Sequence, residues 1–390
     1  ALPVNFGVTT IRVDDAAIQR VPLQLINEDV HPTGNVRGNG SVYLLQDTGQ
    51  EALLAARYRL SQFKIEIAEK SFRAGNKEFP AGSWIMQDQT GLRSATEQVS
   101  RELGLDFDVV SSLPDVARHD AVIPRLGVWV PWADTDMIGW IRYILDQRKI
   151  PYTYIRDDDI RAGQLNRKVD VIVYGNVLLD LQGQIHGIAK STGPLPFKKT
   201  EQFPSLGTPA ESDDITGGIG YAGLANLHKF VEEGGLFISI GSGSTLILES
   251  GFVRSVARAN PEGFRTPGTH IGGKFVQPDH PVAYGYPTVT YAFRSNYPAY
   301  DPPRTWLTMS YCTSCLNGPF DFQNVVMQWG TIPFQSGESA DAPIVISGGA
   351  KNPQALQGRP AILDVPVGKG GALVFNFNPM HRDMNRADHR

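Results

Sequence analysis

Between residues 36 and 115, apolar positions along the chain follow strand spacing and helix spacing in turn. The pattern predicts a strand, a helix, two strands and a second helix, at residues 41–45, 51–62, 65–67, 79–86 and 92–103. Gly104, a residue type common just after a helix, closes the second helix. We therefore predict a small α/β domain of βαββα order over residues 36–115, preceded by an extended segment over residues 1–35.

From residue 124 onwards, short apolar strands alternate with amphipathic helices. Strands are predicted at residues 126–130, 152–155, 169–174, 236–240 and 371–377, with helices at 136–149 and 221–233. This alternation is typical of a parallel sheet with helices on both faces. The predicted fold class is therefore α/β, with a flavodoxin-like parallel-sheet domain over residues 124–390. The polar, proline-bearing stretch at residues 111–124 is expected to be a linker.

Two stretches interrupt this alternation. Residues 176–220 are rich in Gly and Pro, and we expect a long ordered loop that serves binding or packing, because loops of this length inside a domain are usually functional or disordered. Residues 270–345 carry aromatic residues between prolines. They predict a β-rich excursion from the parallel sheet.

Charge and hydropathy narrow the possible partners. The 390 residues include 36 Lys and Arg against 40 Asp and Glu, for a net charge of −4. This balance lacks the basic footprint of nucleic-acid binding proteins. No apolar run is long enough for a transmembrane segment. The chain opens on Ala1 without a signal peptide, so we expect a processed chain or part of a longer precursor.

The candidate catalytic residues are Ser242 and His381. Ligands of open α/β sheets bind beyond the carboxyl ends of the strands, and Ser242 follows strand 236–240 there, between Gly241 and Gly243. Small residues around a serine suit the sharp turn of a nucleophile elbow, and His381, after the last strand, is the candidate base. The alternative is structural, because Gly-Ser turns also let a helix pack against a sheet.

Three residues after the first strand of the parallel sheet are candidates for ligand binding: Trp132, Asp136 and Trp140. The alternative for the tryptophans is a place in the core. Asp157–Asp159 could bind a metal, although aspartates at such a turn more commonly cap the next helix. There is no HExxH motif, no phosphate-binding loop and no dinucleotide fingerprint, and we predict no metal site in this chain.

Cys312 and Cys315 are the two cysteines of the chain. One CxxC pair is half of a zinc ribbon, and a redox CxxC usually opens a helix, which Gly318 and Pro319 would prevent here. A local disulfide in an exported protein is the favoured interpretation, with two free thiols as the alternative.

Several motifs resemble one protein family. Residues 38–86, with Phe79-Pro-Ala-Gly-Ser-Trp-Ile85, resemble the segment that follows the catalytic domain in large bacterial secreted zinc carboxypeptidase-like proteins. Motifs similar to the C-terminal region of the same proteins lie at residues 124–132, 139–142, 160–163, 216–220, 280–285 and 381–382. That region resembles the class I glutamine amidotransferase-like fold, which would cover residues 124–390.

The resemblance implies a function but no catalytic residues. The zinc-binding peptidase domain of the family would lie upstream of residue 1, so the zinc cofactor is expected there and none in this chain. The amidotransferase cysteine belongs at the elbow, where this chain has Ser242-Gly243-Ser244. The implied function is a non-catalytic accessory or assembly region of a secreted or periplasmic protein. Its partners would be the upstream peptidase domain or copies of itself.

Two alternatives stay open beside the accessory role. The chain could be an extracellular structural module that self-associates or polymerises, using the stretches at 176–220 and 270–345 for contacts. It could also be a hydrolase that uses Ser242 and His381 on the amidotransferase-like scaffold.

Overall fold

The computed structural model describes residues 11, 13–28, 33–301, 324–334 and 336–381. The chain divides into two compact units between Ile123 and Pro124, and Tyr284–Tyr286 group with the first unit. Cys312 and Cys315 lie outside the described residues, so their predicted disulfide stays a prediction.

The first unit is built around an antiparallel sheet. Its elements are β1 (Val36–Arg37), β2 (Val42–Leu45), α1 (Ala52–Arg59), β3 (Glu66–Ala68), β4 (Phe72–Ala74), β5 (Lys77–Phe79), β6 (Trp84–Gln87), α2 (Leu92–Leu103), β7 (Phe107–Val110) and β8 (Arg118–Asp120). The sheet order is β1-β7-β2-β6-β3-β8, and β4 and β5 form a separate hairpin. β1 runs parallel to β7, and the other neighbours are antiparallel.

The helix α2 shows how the sequence determines this unit. Leu92, Thr96 and Val99 recur at helical spacing and are buried. Gly104 ends the helix with φ +69°, and its N–H donates to the Ser100 carbonyl at 2.9 Å. The helix predicted at 92–103 is thus confirmed. The linker predicted at 111–124 is wrong, because β8 in this stretch pairs with β3.

The second unit contains more elements than the sequence predicted. They are β9 (Leu126–Trp129), α3 (Asp136–Gln147), β10 (Thr153–Ile155), α4 (Asp157–Ala162), α5 (Leu165–Lys168), β11 (Val171–Tyr174), α6 (Leu181–His186), α7 (Gly220–Glu232), β12 (Leu236–Ile240), α8 (Ser244–Glu249), β13 (Ala257–Ala259), β14 (Thr269–Phe275), β15 (Val289–Arg294), β16 (Ala299–Asp301), β17 (Val325–Trp329), β18 (Val345–Gly348), β19 (Pro360–Val367) and β20 (Gly370–Phe375).

The predicted parallel sheet forms one half of the large sheet. Five neighbouring strands run parallel in the order β10-β9-β11-β12-β20. Numbered along the chain, this is second, first, third, fourth, fifth, which is the flavodoxin-like order. The predicted α/β fold class is therefore confirmed. Buried apolar strands such as β11, in which every residue is buried, form the centre of this half.

The other half of the sheet is antiparallel and corrects one prediction. Beyond β20 the order continues β19-β17-β14-β15, and β18 also pairs with β14. Most of the strands expected to leave the sheet within residues 270–345 instead extend it, because β14, β15, β17 and β18 pair with β19 or with each other. β16 does leave the large sheet, and it pairs with β13 in a separate two-stranded sheet. The stretch at 176–220 is also not a loop throughout, since it contains α6.

Among the described residues, no helix combines the length and the apolar character that spanning a bilayer requires.

Candidate functional site

The carboxyl ends of β9 and β11 form the switch point of the parallel sheet. The chain leaves the two strands in opposite directions there, and α/β proteins commonly bind ligands at such a place. In this protein a direct contact joins the two loops: the Leu178 N–H donates to the Asp134 carboxylate at 2.5 Å. The loops after β9 and β11 therefore hold each other in place.

Asp157, the first residue of α4, is the buried anion of this region. It is 1% exposed, and its two oxygens accept the indole N–H of Trp129 at 2.9 Å and the backbone N–H of Trp132 at 3.1 Å. Burial raises the pKa of Asp157, and these two donors partly offset that rise. The ring of Tyr174 stacks on Trp129 with centroids 4.0 Å apart. The carboxylate thus anchors the loop that follows β9.

Arg156 lies beside Asp157 and is also buried, at 5% exposure. Its Nη1 donates to the Val130 carbonyl at 2.8 Å, and its guanidinium lies 3.7 Å from the centroid of the Trp132 ring. Burial lowers the pKa of Arg156. The Trp132 ring in turn contacts Phe197 from the 176–220 stretch, with centroids 5.1 Å apart.

The three aspartates at 157–159 have separate partners. Asp158 pairs with Arg161, and Asp159 binds the Lys168 ammonium at 2.6 Å and accepts the Arg156 N–H at 3.0 Å. These contacts agree with the alternative in which the aspartates cap the helix that follows, α4. Within the described ranges, no group of three His, Cys, Asp or Glu side chains is placed to hold a metal.

The residue that makes the sharp turn after β12 is Gly241, one position before the predicted nucleophile Ser242. Gly241 directly follows the strand and has φ +58°, a left-handed conformation that side chains rarely adopt. A Cβ atom at this position would lie 3.0 Å from the Tyr297 ring and 3.1 Å from Asn176 Oδ1. The sharp turn is therefore present, but its first residue has no side chain and little room for one.

Ser242, the predicted nucleophile, is held by the loop after β11. Its hydroxyl contacts Asn176 Oδ1 and the Val177 carbonyl, and it accepts the Val177 N–H at 3.0 Å. The Ser242 N–H also donates to Asn176 Oδ1 at 3.1 Å. The hydroxyl has one proton, so it donates a hydrogen bond to either Asn176 Oδ1 or the Val177 carbonyl oxygen. Ser242 thus fastens two loops at the carboxyl edge of the sheet.

His381, the predicted base, contacts a different part of the unit. Its ring stacks on Phe293 of β15, with centroids 4.9 Å apart and planes 27° apart. The side-chain hydrogen bonds of Ser242 within the described residues go to Asn176 and Val177 rather than to His381. The structure does not show the Ser242–His381 hydrogen bond that a catalytic pair uses.

The three predicted binding residues do not form one wall. Trp132 is buried against Arg156 and Phe197, whereas the Trp140 ring makes an edge contact with Tyr143 at 5.7 Å. Asp136 is exposed as the first residue of α3.

The sequence did not indicate a buried arginine that is bonded to the Tyr297 carbonyl. Arg294 of β15 is fully buried, and its guanidinium donates to Thr266 Oγ1 at 2.6 Å, the Tyr297 carbonyl at 2.6 Å and Asn376 Oδ1 at 3.1 Å. Burial lowers its pKa to about 9. These acceptors are neutral, so hydrogen bonds rather than a carboxylate hold the charge. Nothing in the sequence around Arg294 distinguishes it from an exposed strand residue.

An open cleft lies at the same edge of the second unit. Its volume is about 530 Å³, and its lining residues are Ala257, Arg258, Ala259, Asn260, Pro261, Asp301 and Arg359. Arg359 pairs with Asp301 at 3.1 Å, and Arg258 pairs with Glu249 at 3.0 Å. The cleft was not predicted because its residues come from three separated segments of the chain.

Comparisons with known proteins give only distant similarity. No family model and no curated protein matches the chain. PurLQS from Thermotoga maritima is 11% identical, with 68% of this chain and 95% of that chain covered and a TM-score of 0.38. A cytoplasmic protein from Salmonella typhimurium is 13% identical, covering 66% and 88%, with a TM-score of 0.35. A putative ThuA-like protein from Bacteroides uniformis is 9% identical, covering 69% and 89%, with a TM-score of 0.34. Similarity at this level says nothing about activity, and none of the three is named as a carboxypeptidase.

Proposed function

We propose that this chain is a non-catalytic accessory region of a secreted or periplasmic zinc carboxypeptidase-like protein. The proposal that the chain is non-catalytic rests on the elbow. There the residue with the left-handed backbone conformation is Gly241, which has no side chain. The carboxypeptidase part is supported by the resemblance of residues 38–86 and of the motifs after residue 124 to the regions that follow the peptidase domain.

The chemistry of the elbow supports this assignment. An acyl-transfer nucleophile stands at the sharp strand-to-helix turn, near a base that removes its proton. Here the next residue, Ser242, places its hydroxyl on Asn176 and Val177. Releasing that hydroxyl for attack would break the contacts that join the two loops. The same geometry suits a scaffold whose carboxyl edge is kept rigid.

The accessory role is tested on the native protein from its source. An antibody against this chain should isolate a species that also contains a zinc-binding peptidase domain, either in one longer chain or in a stable complex. Intact mass and zinc content are the measurements. A native species consisting of this chain alone, with no peptidase and no zinc in any fraction that contains the chain, would contradict the proposal.

A structural, self-associating module is the second candidate, and one observation favours it. The segment before β1 exposes many apolar side chains, several of them almost fully: Ile11, Val13, Ile18, Val21, Leu23, Leu25 and Ile26. Covering these exposed apolar side chains with a second protein surface would be favourable, because it removes apolar area from water. Light scattering at micromolar concentration should then show oligomers that Leu23→Ser with Leu25→Ser reduces to monomers. A wild-type chain that is strictly monomeric would exclude this candidate.

The third candidate is a hydrolase that uses Ser242 and His381. The contacts of the Ser242 hydroxyl weigh against it. Reaction of Ser242 with a serine-directed phosphonate distinguishes this candidate from the other two.

A further inference from the structure

The turn that joins β1 to β2 contains an Asn-Gly pair, Asn39-Gly40, and both of its residues are exposed. Asn317-Gly318 is the other such pair of the chain and lies outside the described residues. Asparagine side chains are chemically labile, and the backbone nitrogen of the next residue can attack them. The exposed pair in the first unit is therefore a place where the chain could be modified without any enzyme.

The hydrogen bonds of this turn leave the two reacting groups unoccupied. Among the described residues, neither the Asn39 carboxamide nor the Gly40 N–H has a hydrogen-bond partner. The backbone bond that holds the turn belongs to the next residue, because the Ser41 N–H donates to the Val110 carbonyl at 3.1 Å. The Asn39 side chain can therefore approach the Gly40 nitrogen without first breaking a hydrogen bond.

Packing against β7 requires glycine on both sides of Asn39. A Cβ atom at Gly40 would lie 2.1 Å from the Val110 carbonyl oxygen, far closer than real contacts allow. At Gly38, φ is +89°, and a Cβ atom would lie 2.4 Å from the Val109 carbonyl oxygen. Because position 40 has no side chain, nothing there shields its nitrogen from the Asn39 carboxamide. The fold itself thus keeps an unshielded nitrogen beside this asparagine.

We propose that Asn39 is a site of spontaneous deamidation. The Gly40 nitrogen attacks Cγ of the Asn39 side chain, and the new C–N bond closes a five-membered succinimide ring. The C–NH2 bond of the carboxamide breaks, and ammonia leaves with the proton of the Gly40 N–H. Water then opens one of the two ring carbonyls, so residue 39 becomes either aspartate or isoaspartate. Either product adds one negative charge to the turn.

Asn76 is an internal control for this reaction. It is exposed in the turn between β4 and β5, and its side chain has no hydrogen-bond partner among the described residues. It precedes Lys77, whose side chain shields the backbone nitrogen that would attack. In the full folded chain, kept in mildly alkaline buffer at physiological temperature, Asn39 should deamidate at least about tenfold faster than Asn76. Peptide mapping by mass spectrometry measures both sites in one sample and separates them from Asn317.

Two further measurements test the cyclic route and the role of the fold. Cyclisation yields isoaspartate as well as aspartate, whereas direct hydrolysis yields aspartate alone, so an isoaspartate methyltransferase should label the peptide that contains residue 39. Asn39→Gln should abolish that labelling, because glutamine would have to close a larger ring. The Asn39 rate in the folded chain should lie within about tenfold of its rate in the urea-unfolded chain. Equal rates at Asn39 and Asn76, a product without isoaspartate, or stronger protection by folding would overturn the proposal.

Discussion

At the scale of single residues, Gly241 determines the shape of the elbow. Its φ of +58° turns the chain from β12 into the short helical segment that leads to α8. A Cβ atom here would lie only 3.0 Å from the Tyr297 ring and 3.1 Å from Asn176 Oδ1, so these neighbours would have to shift. The backbone conformation and the packing around it thus both disfavour a side chain at this position.

Gly241→Ala should lower the free energy of unfolding by about 2–4 kcal/mol. About 1–2 kcal/mol comes from the left-handed backbone, and the remainder comes from crowding against Tyr297 and Asn176. Gly220 is the matched control, because it has φ +60° with open space around its Cβ position. Gly220→Ala should cost only the backbone part. Urea unfolding of both variants measures the difference, and equal costs would show that the elbow is not crowded.

Tyr297 makes stability sensitive to alkaline pH. Burial raises its pKa to about 12, from an ordinary value of 10.0. The unfolded chain then loses this proton at lower pH than the folded protein does, so stability falls as pH rises from 10 towards 12. The shift corresponds to about 2–3 kcal/mol.

Tyr297→Phe should reduce this alkaline decline by about 2–3 kcal/mol relative to the value at pH 8. Urea unfolding between pH 8 and 12 is the measurement. Tyr221→Phe is the control, since that side chain is 66% exposed, and it should leave the decline as in the wild type. A Tyr297→Phe variant whose decline equals that of the wild type would contradict the buried position of this hydroxyl.

At the scale of elements, three loops at the carboxyl edge are fastened to one another. Asp157 holds the loop after β9 to the start of α4, and Asp134 holds it to the loop after β11. Ser242 then holds the β11 loop to the elbow after β12. Each link joins segments that are distant in sequence, so the edge forms only when the parallel strands are in place.

Asp157→Asn should lower the free energy of unfolding by about 2 kcal/mol. An amide offers one acceptor oxygen, so its NH2 group would face either the Trp129 indole N–H or the Trp132 N–H, and one buried donor would lose its partner. Asp158→Asn, at a side chain that is 37% exposed, should cost less than about 1 kcal/mol. Equal costs in thermal or urea unfolding would mean that Asp157 does not anchor the loop.

Some helices and strands could be predicted from local sequence alone, and others could not. α2 was predicted at its observed bounds because buried residues recur at helical spacing and Gly104 ends it. β14 was predicted only as part of the β-rich stretch at 270–345, without bounds, because Gly272 and Gly273 interrupt its pattern. β19 was missed because Pro360 and Pro366 stand in it. Both strands are stabilised by pairing with neighbours that are distant along the chain, which periodicity does not reveal.

At the scale of the whole molecule, the sequence predicted which strands and turns lie around the site, but it did not predict the side-chain contacts between them. The position of Ser242 after β12 follows from the strand-to-helix pattern. Its partner Asn176 lies 66 residues earlier, and no local signal connects the two. The same holds for Arg294 and Asn376, which are 82 residues apart. A predicted fold class places two strands side by side, but the contacts between the side chains that follow them depend on loop conformations that no local sequence pattern determines.

The second unit is a scaffold whose carboxyl edge is internally bonded. In the second unit, five parallel strands carry the elbow and the switch point, and antiparallel strands extend the same sheet. We propose that this scaffold has no working nucleophile at the elbow. This property depends on the folded chain, because Ser242 is held by the loop that follows a different strand, β11.

The most direct test is labelling of the folded chain with a fluorophosphonate probe, read by intact mass and peptide mapping. A serine hydrolase of known activity in the same mixture verifies that the probe is reactive. Our account predicts no adduct on Ser242, and a Ser242→Ala variant with the same mass profile as the wild type. A stoichiometric adduct on Ser242 that disappears in Ser242→Ala and is reduced in His381→Ala would contradict the account and establish the hydrolase instead.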